Sequence, residues 1–278
     1  MPAIRGITVA VGDWYAATLD ICLVKNMRHM TSCLVVTAPG DEAVKAVVAK
    51  VPGAAVFETD AFYRPDARGV VPHFNKGLAV QESFDVIGRD GWLLIHDADV
   101  IFPESLPTDG LTPDTLYGAR RRVLEDVSRW SPSLDWTTCQ PSRDGGPVGF
   151  FQLFNCQDVS IVNKSVWYDV SFGHCGGSDA RFIAHWPKHK LRVLPCEVLH
   201  LGPTDTHWMG TDRKSIDLMA KFVTENGWSR AIQKHDPAAV ARAGEIVHRV
   251  EVPGYDPSDF ELPFVRRANE KKTRNNGV

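Results

Sequence analysis

The sequence lacks the long apolar runs that a membrane-spanning protein requires. No stretch approaches the roughly 18 apolar residues of a spanning helix, and Asp13 and Asp20 interrupt the first twenty residues, which is unlike a signal peptide. The net charge is only −3, so the molecule as a whole has no strong attraction to nucleic acid or to an anionic membrane. We therefore expect a cytoplasmic protein without a membrane partner.

Closely spaced cysteine pairs are also missing. The six cysteines show no Cys-x-x-Cys spacing, and most of them lie among apolar residues. This pattern is typical of reduced thiols packed inside a cytosolic protein rather than of a disulfide framework. No internal repeat or low-complexity segment is present either.

The chain does contain a regular alternation of strand-like and helix-like segments. β-Rich runs predict strands at 7–11, 33–39, 54–60 and 91–102. Helical spacing predicts helices at 14–29, 41–51 and 72–87. Alternation with short connections indicates an α/β fold with a mostly parallel sheet and right-handed crossovers. Ligands of such sheets bind beyond the carboxyl ends of the strands.

The second half of the chain is less regular. It contains predicted strands at 115–124, 149–155 and 191–203, and predicted helices at 212–226 and 237–250. The segment 128–148 is long and polar and contains tryptophans, so we predict a functional loop or lid there. The tail 263–278 is charged and has almost no large apolar residues, and we expect it to be flexible.

The most informative motif is His-Asp-Ala-Asp-Val, at the end of an almost wholly apolar predicted strand. Carboxylates buried without partners are costly, so Asp97 and Asp99 need a cation, hydrogen bonds or water. Oxygen ligands suit Mg²⁺ or Mn²⁺, and such an ion also bridges the phosphates of a nucleotide diphosphate. The alternative is a solvated acidic turn without a ligand.

The segment FNKGLAVQESFDVIGRDGWLLIHDADVIFP resembles the centre of glycosyltransferases of the GT-A fold, in which a helix precedes an apolar strand that ends in an Asp-x-Asp motif. The resemblance covers 6–103 and, more loosely, 149–203. It implies a Rossmann-like three-layer α/β/α sandwich and a nucleotide-sugar donor. It also implies one catalytic domain over 1–262, made of a nucleotide-binding half (1–103), an insertion or lid (104–148) and an acceptor and metal half (149–262).

The same resemblance implies a set of donor-binding residues. In this family the ends of the first two strands hold the base and ribose, and the helix before the motif approaches the sugar or diphosphate. The positions of this sequence that match are Val11, Gly12, Asp13, Thr37, Ala38, Pro39, Asn75, Lys76, Asp97 and Ala98. An ammonium such as that of Lys76 stabilises phosphate charge; a solvated helix lysine is the alternative.

Two further positions complete the implied site. The Gly-Gly-Ser-Asp segment resembles the Gly-Gly-Glu-Asp segment of inverting members, which makes Asp179 the general base, although Ser178 replaces the usual glutamate. Asp179 or Ser178 can equally cap the helix that follows. His200, in the late predicted strand, matches the position of a third metal ligand, with a packed core histidine as the alternative. Residues Gly177, Ser178, His207 and Trp208 are candidates for a lid or an acceptor contact.

The resulting hypothesis is a transferase that depends on Mn²⁺ or Mg²⁺, takes a UDP-sugar donor and inverts the anomeric centre. The hydroxyl acceptor is left open between a saccharide, a metabolite, a protein and a hydroxymethylated DNA base of the phage type. A nucleotidyltransferase is an alternative, but the first loop, VGDWYAA, lacks the arginine and lysine that are typical of that class. A nucleotide-sugar-binding protein without activity is the other alternative. The two-metal His/Asp clusters of hydrolases are missing.

Overall fold

The apolar strands near the amino terminus form one half of a large mixed sheet in the computed structural model of the protein. The structure describes residues 2–65, 69, 71–72, 74–171 and 178–202. These residues form nine strands: β1 (Ile4–Val9), β2 (Ser32–Thr37), β3 (Ala54–Glu58), β4 (Trp92–Asp97), β5 (Val100–Ile101), β6 (Leu116–Leu124), β7 (Gln140–Gly146), β8 (Phe151–Asn155) and β9 (Leu191–Leu201).

Four α-helices accompany the strands in the described residues. They are α1 (Asp13–Asn26), α2 (Glu42–Val48), α3 (Lys76–Ile87) and α4 (Ser178–Ile183). Short 3-10 turns occur at Met27–His29, Asp60–Phe62, Val127–Arg129, Trp136–Thr138 and Lys188–Lys190. None of these helices is long and apolar enough to cross a membrane.

The order of the strands is β3-β2-β1-β4-β8-β6-β9-β5, with β7 paired to β6. Strands β1 to β4 are mutually parallel where they pair. Strand β8 is antiparallel to both β4 and β6, so β6 runs in the direction of β4, and β9 runs parallel to β6. The carboxyl ends of β1, β2, β4, β6 and β9 therefore meet at one edge of the sheet, where the sequence predicts the site.

Alternate residues of the central strands pack against helices on opposite faces of the sheet. One face buries Ile4, Val35 and Leu94 against α1 and α2. The other buries Ile7 and Leu93 against α3 and α4. The predicted fold class, a three-layer α/β/α arrangement on a mostly parallel sheet, is confirmed.

Two predicted elements differ from the structure. The strand predicted over 91–102 is broken after Asp97, because the chain turns at Ala98 and β5 then pairs with β9. The segment 128–148, predicted as a loop, contains β7, which pairs with β6 inside the sheet. Strand β7 reads QPSRDGG and has no alternation of apolar residues, so its sequence gives no strand signal.

Five cysteines in the described residues carry free thiols, as predicted, namely Cys22, Cys33, Cys139, Cys156 and Cys196. The predicted helices at 212–226 and 237–250, the tail 263–278 and the domain boundary at 262 lie outside the described residues.

A buried asparagine fixes the short strand that follows the Asp-x-Asp motif. The Asn26 side chain at the end of α1 donates to the carbonyl oxygen of Val100 (2.7 Å) and accepts from the backbone N–H of Phe102 (2.8 Å). These two hydrogen bonds provide partners for one backbone carbonyl and one backbone N–H on the side of β5 that does not pair with β9. The Asn26 side chain therefore makes the hydrogen bonds that a neighbouring strand would otherwise make.

We expect Asn26→Leu to destabilise the fold by about 2–4 kcal/mol, because it leaves one buried carbonyl and one buried N–H without partners. The free energy of unfolding, measured in urea, tests this. Asn163→Ala, at an exposed position, is the matched control and should change it by less than about 0.5 kcal/mol. Equal stability of the Asn26→Leu variant and the wild type would contradict the role given to the Asn26 amide.

Candidate active site

The two carboxylates of the motif have different surroundings. Asp97 is the last residue of β4, and its Oδ1 accepts from Lys76 Nζ at 2.6 Å. Both side chains are partly exposed, Lys76 at 15% and Asp97 at 30%. Lys76 is the first residue of α3, so this ion pair joins the start of that helix to the end of the central strand.

Asp99 is almost fully buried and faces His200 of β9. Asp99 Oδ2 lies 3.6 Å from His200 Nε2, and the side chains are 3% and 6% exposed. Strand pairing sets this contact, because Val100 pairs with His200 and the Leu201 N–H donates to the Asp99 carbonyl at 2.8 Å. Asp99 Oδ1 has no hydrogen-bond partner among the residues that the structure describes.

The tautomer of His200 follows from the hydrogen-bond partner of its Nδ1 atom. Nδ1 lies 3.0 Å from the carbonyl oxygen of Gly202, which can only accept, so Nδ1 carries a proton. In a neutral imidazole, Nε2 then presents a lone pair to the Asp99 carboxylate. Burial is the largest influence on Asp99, and it raises the pKa of this carboxyl. Two facing lone-pair donors in a buried place need a proton or a cation between them.

The donor set formed by Asp99 and His200 fits a divalent cation as a two-residue pair. Their 3.6 Å separation is shorter than two Mg²⁺–ligand bonds of about 2.1 Å each, so one ion can contact both atoms. Among the described residues, no group of three His, Cys, Asp or Glu side chains is arranged to hold a metal ion. Asp97, also predicted as a metal ligand, is paired with Lys76.

Asp179 lies in the first turn of α4 at the same edge of the sheet. Its Oδ2 accepts from the backbone N–H of Gly149 at 3.1 Å. A Cβ at position 149 would lie 2.8 Å from that oxygen, so the close approach requires glycine. Ser178 is fully buried, and its hydroxyl has no hydrogen-bond partner among the described residues.

A buried tyrosine and a buried glutamine lie beside α4. Burial raises the pKa of Tyr168, and the charges of Asp179 and Asp97 raise it further. The Tyr168 hydroxyl donates to Gln152 Oε1 at 2.9 Å, and Gln152 Nε2 lies 2.9 Å from the Pro147 carbonyl and 3.4 Å from that of Asp179. Gln152 and Tyr168 hold α4 beside β8. Neither residue was predicted as part of the site, because each lies in an apolar run that reads as core.

The loops that were predicted to bind the nucleotide are joined by Asp41. Its Oδ2 accepts from the Gly12 N–H at 2.7 Å and from the Thr37 hydroxyl at 3.1 Å, and its Oδ1 caps α2 through the Val44 N–H. Sequence reasoning missed this role, although a Gly-Asp pair before a helix is an N-cap signal. Of the other predicted residues of these loops, Val11 and Ala38 are buried and Asp13 and Pro39 are exposed.

The remaining predicted residues separate into three groups. Asn75 caps α3 by accepting from the Leu78 N–H (2.8 Å) and donates to the Val170 carbonyl (2.9 Å), so its amide has structural partners. Ala98 is buried in the turn after β4. Gly177, His207 and Trp208 lie outside the described residues.

The three consecutive arginines of β6, Arg120–Arg122, are partly engaged in the fold. Arg122 forms an ion pair with Glu197 (2.6 Å) and donates to the carbonyls of Thr137 and Cys139. The Arg121 guanidinium lies over the Phe150 ring, 4.7 Å from its centroid. Arg120 is exposed.

Comparison with solved structures finds several similar proteins. A 4-diphosphocytidyl-2C-methyl-D-erythritol synthase from Anaerococcus prevotii has a TM-score of 0.42 at 12% identity, over 79% of this chain and 98% of that one. An inositol-1-phosphate CTP transferase from T. maritima has a TM-score of 0.40 at 12% identity, over 79% and 96%. The galactosyltransferase LgtC, in complex with donor and acceptor sugar analogs, has a TM-score of 0.32 at 17% identity, over 55% and 58%.

At these identities the likeness concerns the fold alone. No protein-family profile matches the sequence, and no curated protein sequence matches it.

His96 precedes the motif and faces the opposite side of β4 from Asp97. Its Nε2 lies 3.9 Å from Cys33 Sγ and its ring packs on Phe102. Burial lowers the pKa of His96 from 6.5 to about 4, against a smaller opposing effect of its hydrogen bond to the Asp97 carbonyl. The folded state therefore binds fewer protons than the unfolded chain between these two pH values, and it loses stability as the pH falls below about 6.5.

We expect the free energy of unfolding to fall by about 2 kcal/mol because of His96 when the pH is lowered from 7 to 5. His96→Gln cannot titrate, so its free energy of unfolding should change less than that of the wild type over this interval by about that amount. Urea unfolding at the two pH values measures the difference. His189→Gln, at an exposed position, should retain the wild-type pH dependence, and the same slope for His96→Gln would show that His96 is not the group responsible.

Proposed function

We propose that the chain is a glycosyltransferase that moves a sugar from a nucleotide-diphosphate donor, a UDP-sugar, to a hydroxyl acceptor. The observation that carries the proposal is the buried Asp99–His200 pair at 3.6 Å, beside the Lys76–Asp97 pair, at the carboxyl edge of the sheet. Acidic and imidazole groups at this edge match what a metal-bound diphosphate needs. The acceptor would offer a hydroxyl group on a saccharide, a metabolite, a protein or a modified DNA base.

In the proposed reaction, Asp99 and His200 would hold Mn²⁺ or Mg²⁺, and Asp97 lies two residues before Asp99 in the chain. When bound, the ion would supply Lewis acidity toward the leaving diphosphate. Lys76 contributes a positive charge at the same end of the site, where it stabilises phosphate oxygens. Asp41 holds the Gly12 and Thr37 loops together at the end where the base and ribose would bind.

Asp179 would act as the general base. Its carboxylate is anchored by the Gly149 N–H through Oδ2, so Oδ1 is the oxygen that we assign to the reaction. That oxygen would accept the acceptor's hydroxyl proton as the new bond forms at the anomeric carbon and the bond to the diphosphate breaks. A single in-line displacement of this kind inverts the anomeric centre.

The donor reaction tests the proposed metal ligands. A panel of nucleotide sugars is incubated with Mn²⁺, and the release of nucleoside diphosphate is measured. Asp99→Ala should lower the rate by about 100-fold or more, because it removes a ligand of the ion. Asp85→Ala, at an exposed position of α3, is the matched control and should keep the wild-type rate. Release of pyrophosphate from a nucleoside triphosphate and a sugar phosphate, without turnover of any nucleotide sugar, would instead identify a nucleotidyltransferase.

The base assignment is tested separately. Asp179→Asn keeps an oxygen that can accept from the Gly149 N–H but cannot take a proton, so transfer should fall by about 10²- to 10⁴-fold. The dissociation constant for UDP, measured by calorimetry, should stay within about twofold of the wild-type value. Transfer at the full rate by Asp179→Asn would refute a general-base role for this residue.

A further inference from the structure

We propose that Lys76 makes cation binding depend on the diphosphate: it occupies Asp97 in the empty site and releases it to a divalent cation only when a diphosphate takes over its ammonium. The cation and the diphosphate then bind together rather than independently. This inference rests on the proposed function, because it concerns the same metal site. It adds a role for the Lys76–Asp97 pair that donor binding alone does not require.

The backbone that carries the Lys76 side chain is held in place on both sides. Asn75 caps the start of α3 and also bonds the Val170 carbonyl. Gly77 packs so closely on the chain at Asp169 that a Cβ there would lie 2.0 Å from the Asp169 carbonyl oxygen. The backbone on both sides of Lys76 is therefore fixed, and only the four-carbon stem can carry the ammonium from Asp97 to a neighbouring anion.

The ammonium opposes a cation at this site for two reasons. It is 2.6 Å from Asp97 Oδ1, so it already neutralises the more accessible of the two carboxylates. It also holds a positive charge beside Asp97, two residues from Asp99, at the end of β4 where a divalent ion would have to bind. A divalent ion at Asp99 and His200 would therefore be repelled by Lys76 and would receive little help from Asp97.

A diphosphate removes both obstacles at once. The diphosphate oxygens accept hydrogen bonds from the ammonium, which frees Asp97 Oδ1. The negative charge of the diphosphate also attracts the cation. Because binding linkage is reciprocal, the diphosphate must then strengthen cation binding by the same factor as the cation strengthens diphosphate binding. The ion pair therefore prevents the site from filling with a cation before the donor arrives.

Mn²⁺ binding by the full chain tests the proposal without any sugar transfer. Free Mn²⁺ is measured by electron paramagnetic resonance, alone and with UDP or inorganic pyrophosphate. Wild-type protein should bind Mn²⁺ about tenfold more tightly with either diphosphate than without it. Lys76→Met should bind Mn²⁺ alone about tenfold more tightly than wild type does, and its gain from diphosphate should be smaller than the wild-type gain, because only the attraction between the diphosphate and the cation remains.

Two controls isolate the charge of Lys76. Lys76→Arg keeps the charge and should behave as wild type. Lys190→Met removes a lysine that pairs with Asp114 at 2.9 Å near the opposite edge of the sheet, and it should also behave as wild type. Lys76→Gln is a second neutral variant, and it should reproduce Lys76→Met if the effect is due to charge.

Three outcomes would overturn the proposal. If Lys76→Met and Lys76→Gln bind Mn²⁺ alone as weakly as wild type while diphosphate still strengthens binding, the gating by Lys76 is wrong and the proposed metal site stands. If Lys76→Arg binds Mn²⁺ as tightly as Lys76→Met, charge is not the cause. If wild type binds no Mn²⁺ even with diphosphate, the proposed metal site and the gating fail together.

Discussion

The turn that separates β4 from β5 is the constraint on which the candidate site depends. Had the strand continued, Asp97 and Asp99 would project to the same side with the spacing of a regular strand. Instead the chain turns at Ala98, and β5 pairs with β9. Asp97 consequently meets Lys76 on the α3 side, whereas Asp99 is carried inward to His200. One short turn thus produces an accessible ion pair and a buried carboxylate–imidazole pair from two aspartates that are separated by a single residue in the sequence.

Much of the sheet could be predicted, because its strands are apolar runs bounded by turns and its helices have helical spacing. Strand β7 could not, since it is polar and owes its conformation to pairing with β6. Asn26 was also beyond the sequence. A single asparagine at the end of a helix carries no local signal, and its role arises only when β5, 74 residues later, lies beside it.

The placement of the candidate site residues was predictable to a similar degree. The Asp-x-Asp motif predicted two carboxylates at the site, and the resemblance to a known family predicted His200. The pairing of β5 with β9 does place His200 beside Asp99. What the sequence could not predict was the division of partners. Lys76 and Asp97 are 21 residues apart on a helix and a strand, and which carboxylate the ammonium contacts depends on the angle at which α3 approaches the sheet.

The buried pair is difficult to explain as a stabilising feature. Burial raises the pKa of Asp99, which means that the fold disfavours its charged form, and Oδ1 has no protein partner among the described residues. Apolar side chains of similar volume would fill such a place at no electrostatic cost. Neighbouring positions of the same strands, Val100 and Leu201, do so. A carboxylate kept where the fold would favour a valine is a cost in stability, and such costs concentrate at sites whose purpose is to bind or to react.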